Sequence, residues 1–378
     1  MRLAVLLIAA LGMMREADVR AAGDNAALHY WQALVLLPRA ETLTPAQKAL
    51  LTNVRKALLS DATPAFIDAN RTALRCLHRG AASGPCDWGL AASFHDEGSE
   101  APLDYVHLTR RLASVACLRA RWSFAKGQAD AAFEDLADAL ALGRHLSHDG
   151  TALGRVTNCA IERSVIDITV DNLVPRQDPP ALKAFRARLQ VLPQPFMLAE
   201  VMQVGKADWV KNYCDMYTKP ERAIECLQGG GPGADQRIAQ FRAALKAHKP
   251  EQLCAETATA FDQAMRQASL PLPRRQDAFR DLLDSLRTAN PVTRAMVTGM
   301  SQVCEVDVRA ACRFALFEAG IAVAAEGTQV LAKFKDPYGG GPFGYRPNAS
   351  GFTLQSRATD EGGNPLILAF GTNIGKRD

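Results

Sequence analysis

The histidines and cysteines carry the most reactive side chains of the chain, and they are concentrated in one stretch. Five of the seven histidines lie within residues 76–148, along with Cys76 and Cys86. Imidazole and thiolate groups are the usual ligands of zinc, so one hypothesis is a zinc site built from Cys76, His78, Cys86 and His95. The spacing lacks a Cys-x-x-Cys pair, and a disulfide between the two cysteines would remove two ligands. The pattern therefore favours a disulfide with surface histidines.

A second histidine pair closes a predicted helix. His145 and His148 lie three residues apart on its last turn. That spacing suits a shared metal ion. It also suits capping of the helix, since a positive charge is favoured at the negative end of the helix dipole. We predict capping.

Two carboxylates lie on one predicted helix near aromatic residues. Glu200 and Asp208 are close in sequence to Trp209 and Tyr213. Paired carboxylates are the groups that cleave glycosidic bonds, but helix faces commonly carry such residues. We favour an ordinary solvated helix face.

Three motifs of well-known enzyme classes are missing from the sequence. It contains no Gly-x-Ser-x-Gly elbow, His-Glu-x-x-His motif or Gly-x-x-x-x-Gly-Lys-Ser/Thr loop. The glycine run at residues 229–233 lacks the lysine and the preceding strand of a phosphate loop, which favours a flexible linker. We therefore predict no catalytic, cofactor-binding or metal-binding residue and no cofactor.

The first residues predict a secretory signal peptide over residues 1–22. One arginine is followed by an apolar run at 3–14 and then by charged residues. The run is shorter than the roughly 20 residues needed to span a bilayer. Cleavage after Gly12 or after Ala22 fits the small residues there. The alternative is translation from a methionine near the end of the run. We predict export to the periplasm or cell envelope.

Export would place the cysteines in an oxidising compartment, where most can pair. Two pairs flank turn-like sequence, namely Cys76 with Cys86 and Cys214 with Cys226. We predict both bridges, each stabilising the fold by about 2–3 kcal/mol.

Composition narrows the classes of partner. The chain is 48% hydrophobic and 22% charged, and its 44 basic and 40 acidic residues give a net charge of +4. These values are typical of a folded globular protein. The sequence lacks a basic stripe interleaved with aromatic residues, which argues against nucleic acid as a partner. After residue 14 no apolar stretch is long enough for an integral membrane span.

Helix signals dominate residues 23–335, which we assign to an α-helical domain. Thr44 and Gln47 form a predicted capping box around Pro45. Asn290 precedes a long predicted helix that ends near Ala319, with Gly320 as its stop.

Small residues within 113–146 predict a tetratricopeptide-like helical hairpin. Ala120, Ala132 and Ala139 fall where two helices must approach closely, and Gly127 supplies the turn. A solenoid needs about three or more such repeats, and no second match is present in the sequence. The predicted fold class is therefore all-α, an antiparallel helical array that contains one such hairpin.

The composition changes at Asp336, and residues 336–378 predict a small C-terminal β-hairpin tail. A Gly/Pro-rich turn at 336–342 precedes alternating apolar and polar residues at 343–346 and 351–356. A third apolar segment at 366–370 could add a strand. An isolated hairpin is marginal in water, so we expect it to pack on the long helix.

The tail also carries a resemblance, through Asp336-Pro-Tyr-Gly, Tyr345-Arg, Gly351-Phe-Thr-Leu-Gln-Ser356 and Asp360-Glu-Gly-Gly363. It resembles the C-terminal tail of major type II secretion pseudopilins. A similar tail ends a group of uncharacterised exported bacterial helical proteins. The rest of the chain resembles that group through residues 24–31, 86–88 and 103–146. The resemblance implies export and a helical fold, and it brings no activity with it.

Pseudopilins differ at the start of the chain and in the final loop. They begin with a long continuous hydrophobic helix, whereas the apolar run here is short. Their final loop can hold calcium. In this chain only Asp360 and Glu361 occupy the corresponding positions, and Arg357 is close by. Calcium takes six to eight oxygen ligands, so two carboxylates supply too few. We favour a solvated turn.

Together these patterns predict a non-catalytic binding or structural component of the bacterial cell envelope, with a protein partner there. The alternative is an envelope hydrolase with an acidic or histidine site in a groove between helices. A histidine site would bring several histidines into one cleft, from the set His78, His95, His107, His145 and His148. A pseudopilus-associated component would require the tail to pack on a long helix.

Overall fold

Helices form most of the protein, and a small antiparallel sheet lies at its C-terminal end. The computed structural model describes residues 25–90, 103–173, 179–228 and 233–371. Within those ranges strands occur only after residue 343. The all-α prediction with a small C-terminal β-structure is therefore confirmed.

The helices of the first half are α1 Ala26–Leu36, α2 Pro45–Thr52, α3 Ala62–Ala69, α4 Arg71–Ala82, α5 Asp104–Ala125, α6 Ala129–Leu146 and α7 Ala152–Asn172. Those of the second half are α8 Pro179–Val191, α9 Leu198–Thr218, α10 Pro220–Gln228, α11 Ala234–Ala247, α12 Pro250–Ala268, α13 Leu272–Ser285 and α14 Pro291–Glu326. Short 3-10 helices lie at Ala40–Thr42, Ser147–Asp149 and Thr328–Lys333.

Helix α14 begins where the sequence predicts and ends later. The Asn290 side chain accepts hydrogen bonds from the first backbone amides of the helix. The predicted stop at Gly320 is wrong, because the helix continues to Glu326 and is capped by Gly327 with φ +93°. Gly320 serves packing instead, since a Cβ there would overlap the ring of Phe370.

Helices α5 and α6 form the predicted helical hairpin. The chain reverses at Gly127, which adopts φ +77°. Ala120, Ala132 and Ala139 are fully buried, so the two backbones approach closely. The tetratricopeptide-like character of the pair stays a prediction. Helix α6 also packs against α4, α7 and α8, which makes it the central helix of the main core.

One disulfide is formed in the described part of the chain, and neither predicted bridge is correct. Cys214 on α9 is bonded to Cys254 on α12, because these two helices lie side by side. Cys226 is exposed on α10. Cys76 is buried on α4, whereas Cys86 is a free, partly exposed thiol in the loop that follows this helix.

The C-terminal sheet has three strands, β1 Gly344–Asn348, β2 Gly351–Thr359 and β3 Pro365–Phe370, in the order β1-β2-β3. Both pairings are antiparallel, with Leu354 opposite Leu368. The predicted hairpin is confirmed, and the third apolar segment adds a strand to it. Strands β2 and β3 pack on α14.

Within the part of the chain that the structure describes, no helix combines the length and the apolar character needed to cross a membrane.

Candidate functional site: an aromatic cleft between helices

A cleft of about 930 Å³ opens between the loop after α4, the α6–α7 turn and helix α9. This volume is in the range of small-molecule sites, which are typically ~300–1,000 Å³. Its aromatic walls are Trp88, Phe196, Trp209 and Tyr213. Its ionisable or polar lining groups include Cys86, Asp87, His145, His148, Asp149, Thr151, Asp208 and Asn212.

The first wall is the loop at residues 83–90, which is fixed to the start of α1. The Asn25 side chain caps α1 and also accepts a hydrogen bond from the Asp87 amide at 2.9 Å. Its Nδ2 donates to the Asp87 carbonyl at 2.8 Å, and the Ala26 amide donates to the Pro85 carbonyl. These bonds hold Trp88 at the cleft.

Trp88 sits on a cluster of aromatic rings. Its ring centroid lies 5.7 Å from that of Tyr30, 5.6 Å from Trp31 and 5.8 Å from Tyr105. The Trp88 indole donates to the carbonyl of His145 at 3.0 Å. Rings packed in this way have few alternative rotamers, so the base of the cleft is preorganised.

The second wall is the α6–α7 turn, which is set by Asp149 and Gly150. Gly150 adopts φ +78°, which an L side chain rarely accepts. Thr151 then caps α7, accepting a hydrogen bond from the Gly154 amide. The Asp149 carboxylate accepts bonds from the Thr151 amide at 2.7 Å, the Thr151 hydroxyl at 2.9 Å and the Tyr105 hydroxyl at 2.6 Å.

Burial raises the pKa of Asp149 to about 6, although the bonds from Tyr105 and Thr151 lower it. Removal of the carboxylate from water disfavours its charged form more strongly than these donors favour it. Asp149 is therefore largely ionised at neutral pH and gains a proton in mildly acidic solution.

His145 lies beneath the cleft and is 4% exposed. Its Nδ1 lies 2.8 Å from the Tyr30 hydroxyl. Burial, with a smaller effect from His148, lowers the pKa of His145 to about 4. Because this imidazole is neutral at physiological pH, it does not supply the positive charge that the capping prediction assumed.

His148 lies beside Phe196, with 4.0 Å between ring centroids. Its Nε2–H donates to the Gln194 carbonyl at 2.8 Å. The centroids of His145 and His148 are 6.2 Å apart, and each ring has another partner. Through these contacts the two histidines orient the α6–α7 turn.

The third wall is helix α9. Gly205, Asp208, Trp209 and Tyr213 line the cleft. Asp208 and Trp209 follow Gly205 by three and four residues, and Tyr213 follows Trp209 by four, which places them on one helix face. A Cβ at Gly205 would overlap the Gly150 carbonyl, so only glycine allows this approach. The Trp209 indole donates to that carbonyl at 3.0 Å.

The hypothetical carboxylate pair of Glu200 and Asp208 does not assemble at the cleft. Asp208 lines it. The Glu200 carboxylate instead accepts a hydrogen bond from the Met197 amide at the start of α9, at 2.8 Å. Glu200 is therefore a helix cap, and the paired glycan-cleaving site that the sequence left open is not formed by these two residues.

The remaining sequence candidates lie elsewhere. His78 contacts Asp138, and among the described residues Cys76, His78 and Cys86 do not form a metal-binding group. His107 is exposed on α5. His95 and the glycines at 229–232 lie outside the described residues.

Asp360 belongs to the tail turn and not to the cleft. Its carboxylate accepts hydrogen bonds from the amides of Gly362 at 2.8 Å and Asn364 at 2.9 Å. These amides lower the pKa of Asp360, the Asn364 amide more strongly. An exposed carboxylate that satisfies its own turn fits the solvated-turn prediction.

The charged residues described in the lining of the cleft are acidic. Among the described residues that line the cleft there are three aspartates, Asp87, Asp149 and Asp208, and no lysine or arginine. Carboxylates beside aromatic faces attract a cation and repel an anion.

Sequence reasoning identified some of the cleft residues but not the cleft. It singled out His145, His148 and Asp208, and it missed Asp149, Tyr105 and Phe196 as parts of the same site. The available signal was Asp149-Gly-Thr151, a turn sequence followed by a helix cap. It predicts a helix break between α6 and α7 but does not reveal what lies opposite.

The chain matches no protein-family model, and comparison with curated proteins and with solved structures finds no significant relative.

Proposed function

We propose that this protein is a non-catalytic binding component of the bacterial cell envelope and that its cleft holds a small organic cation. The observation that carries this proposal is the lining of the cleft, where aromatic faces and aspartates occur together and no described residue is a lysine or arginine. A cation over an aromatic face gains about 0.5–2 kcal/mol. Asp149 and Asp208 would add attraction at neutral pH.

The ionisable groups of the cleft support binding more than catalysis. Both oxygens of Asp149 are engaged by Tyr105 and Thr151. The neutral His145 faces the Tyr30 hydroxyl. Burial raises the pKa of the Cys86 thiol to about 12, so it is not a ready nucleophile. These contacts hold the walls in place. The Thr151 hydroxyl, which donates to Asp149, also accepts the Gly154 amide as the cap of α7, so this pair serves the turn.

The test is calorimetric titration with three probes of similar size. These are benzyltrimethylammonium, its uncharged carbon analogue neopentylbenzene, and phenylacetate. We expect the cation to bind most tightly and the anion not to bind. Asp208→Asn should weaken binding of the cation by about fivefold or more and leave the neutral probe unchanged. Asp281→Asn, the same change on an exposed part of α13, is the matched control. Equal binding of the three probes, or none, would refute the proposal.

The hydrolase alternative has one observation in its favour, the pKa of about 6 at Asp149 in the same cleft as Asp208. A carboxyl group with a raised pKa can act as a general acid. Incubation with aryl glycosides and aryl esters separates the two functions. Turnover that Asp149→Asn abolishes would establish the hydrolase, and binding of the cation without turnover of any substrate would leave the binding function.

Export is the second part of the proposal, and the apolar run at residues 3–14 supports it. The test is the intact mass of the protein recovered from a bacterial periplasmic fraction. We expect a mass reduced by residues 1–12 or 1–22. A full-length product confined to the cytoplasm would contradict export.

The proposed protein partner is a pseudopilus, and the packing of the sheet on α14 supports this hypothesis. Ile367 on the edge strand β3 is 51% exposed and offers a surface for contact. A photo-crosslinking residue at position 367 should couple to the major pseudopilin in cells. The control places the same photo-crosslinking residue at position 35, because Val35 is exposed on α1. Crosslinks to the pseudopilin from neither or both positions would argue against a tail-mediated contact.

A further inference from the structure

A cluster of possible metal ligands lies at the groove between α4 and α6, apart from the cleft. His78 on α4 faces Glu134 and Asp138 on α6, and one ligand atom of each lies within 4.8 Å of the other two. The two carboxylates are four residues apart, which places them on one face of α6. The His78 Nδ1–H donates to Asp138 Oδ2 at 2.9 Å.

A second observation sets this cluster apart from an ordinary surface ion pair. The Asp138 side chain is only 2% exposed, whereas that of His78 is 55% exposed. Asp138 Oδ1 is buried and accepts no hydrogen bond from the residues that the structure describes. The nearest cation that contacts it is Arg188, at 4.0 Å. A buried carboxylate oxygen without a donor is costly, and a metal ion would offset that cost.

From this geometry we propose that His78, Glu134 and Asp138 bind a divalent first-row transition metal ion, with zinc as the best fit. One imidazole and two carboxylates suit such an ion better than calcium or magnesium, which prefer oxygen ligands alone. Ligand atoms around tetrahedral zinc are about 3.3 Å apart, because each lies ~2.0–2.1 Å from the metal. Small rotations of His78 and Glu134, which are both exposed, would bring the three ligands to that spacing. Water would complete the coordination.

Metal binding at this cluster is expected to stabilise the fold. The ion would join α4 to the central helix α6, so it should raise the unfolding temperature by linkage to the folded state. Metal binding would be independent of the cleft, because no residue of this cluster lines the cleft.

The test uses zinc and cobalt with the full-length protein. Calorimetry should give a single zinc site, and cobalt should show the absorption bands of a bound ion. His78→Asn and Glu134→Gln each change an exposed ligand and should keep the fold. Each should weaken zinc binding by about tenfold or more and abolish the rise in unfolding temperature. Asp138→Asn should do the same if it folds.

His107→Asn, an exposed histidine of α5, is the control and should bind zinc like the unchanged protein. Zinc binding that all the variants retain would overturn the proposal, since the ion would then lie elsewhere. The absence of binding to the unchanged protein at millimolar zinc would overturn it as well.

Discussion

At the scale of single residues, Asp149 does the most to shape the cleft. Its carboxylate joins Tyr105 on α5 to Thr151 at the start of α7. Burial also raises the pKa of this carboxyl group to about 6. The same side chain therefore fixes the turn and contributes charge to the cleft.

Tyr105→Phe tests this arrangement. Because the Tyr105 hydroxyl lowers the pKa of Asp149, its loss should raise that pKa further above 6. The free energy of unfolding should fall by about 1.5–3 kcal/mol at pH 7, the usual contribution of a hydrogen bond to a charged group. The loss should be smaller at pH 5, where Asp149 is mostly protonated. Carboxyl NMR titration and urea unfolding are the measurements.

Tyr345→Phe on β1 is the control for this change, because it lies in the tail. It should leave the pKa of Asp149 where it was. An unchanged pKa in Tyr105→Phe would contradict the assigned role of the hydroxyl.

The sequence pointed to some of the reactive side chains at the cleft but not to the residues that they contact. His145 and Asp208 were noticed because their side chains can do chemistry. Tyr30 and Tyr105 were not, because their roles depend on which buried group lies opposite each hydroxyl. Hydrophobic periodicity in the sequence shows which face of a helix a residue occupies. The group that its side chain contacts depends on how several helices pack together.

At the scale of elements, the contact between α14 and β3 fixes the tail to the helices. Phe370 of β3 is fully buried and lies against Gly320 of α14. The sequence predicted the strands from alternation, but it misassigned Gly320 as a helix stop. A glycine can end a helix, or it can let another element pack closely against the helix backbone. The presence of glycine in the sequence does not distinguish these two roles.

Gly320→Ala should therefore destabilise the protein, since the new methyl group overlaps the Phe370 ring. We expect the free energy of unfolding to fall by about 1–3 kcal/mol, the usual cost of overpacking. Gly299→Ala is the matched control on the same helix, where a Cβ meets nothing within 4 Å. It should stabilise by about 0.5–1 kcal/mol through helix propensity. Equal effects of the two substitutions in urea unfolding would mean that the tail does not pack as described.

The disulfide between Cys214 and Cys254 links α9, a wall of the cleft, to α12. It closes a loop with a sequence separation of 40 residues, so Cys254→Ser should lower the free energy of unfolding by about 2–4 kcal/mol. Cys226→Ser should have little effect, because that thiol is exposed and free. Peptide mapping that found Cys214 joined to Cys226 would reinstate the pairing predicted from sequence.

At the scale of the whole molecule, several charged groups lie inside the helical array. Arg155 on α7 contacts Asp307 on α14 at 2.6 Å, and Arg275 on α13 contacts the same carboxylate at 3.1 Å. Asp307 is fully buried. Breaking such a pair leaves an uncompensated charge in the core, so these contacts fix how α7, α13 and α14 meet. Sequence periodicity gave the helices but not these contacts, because charged residues are ordinarily assigned to the surface.

Buried ionisable groups also make the stability of the molecule depend on pH, and His145 gives the clearest case. Its pKa in the folded protein is about 4, below the ordinary value of 6.5, because burial disfavours the imidazolium. Between these values the unfolded chain binds the proton more readily than the folded one. This contribution to stability is therefore present above pH 6.5 and lost as the pH falls toward 4. Asp149 acts in the opposite direction over part of that range, since its pKa is raised.

Comparison with His145→Asn isolates the histidine from the carboxylates. The difference in unfolding free energy between the unchanged protein and this variant should grow by on the order of 3 kcal/mol from pH 4 to pH 6.5. His107→Asn, at an exposed position, should show no such growth. Urea unfolding at four or five pH values is sufficient. A constant difference for His145→Asn would mean that the imidazole takes up its proton in the folded protein, and the neutral contact with Tyr30 beneath the cleft would then be wrong.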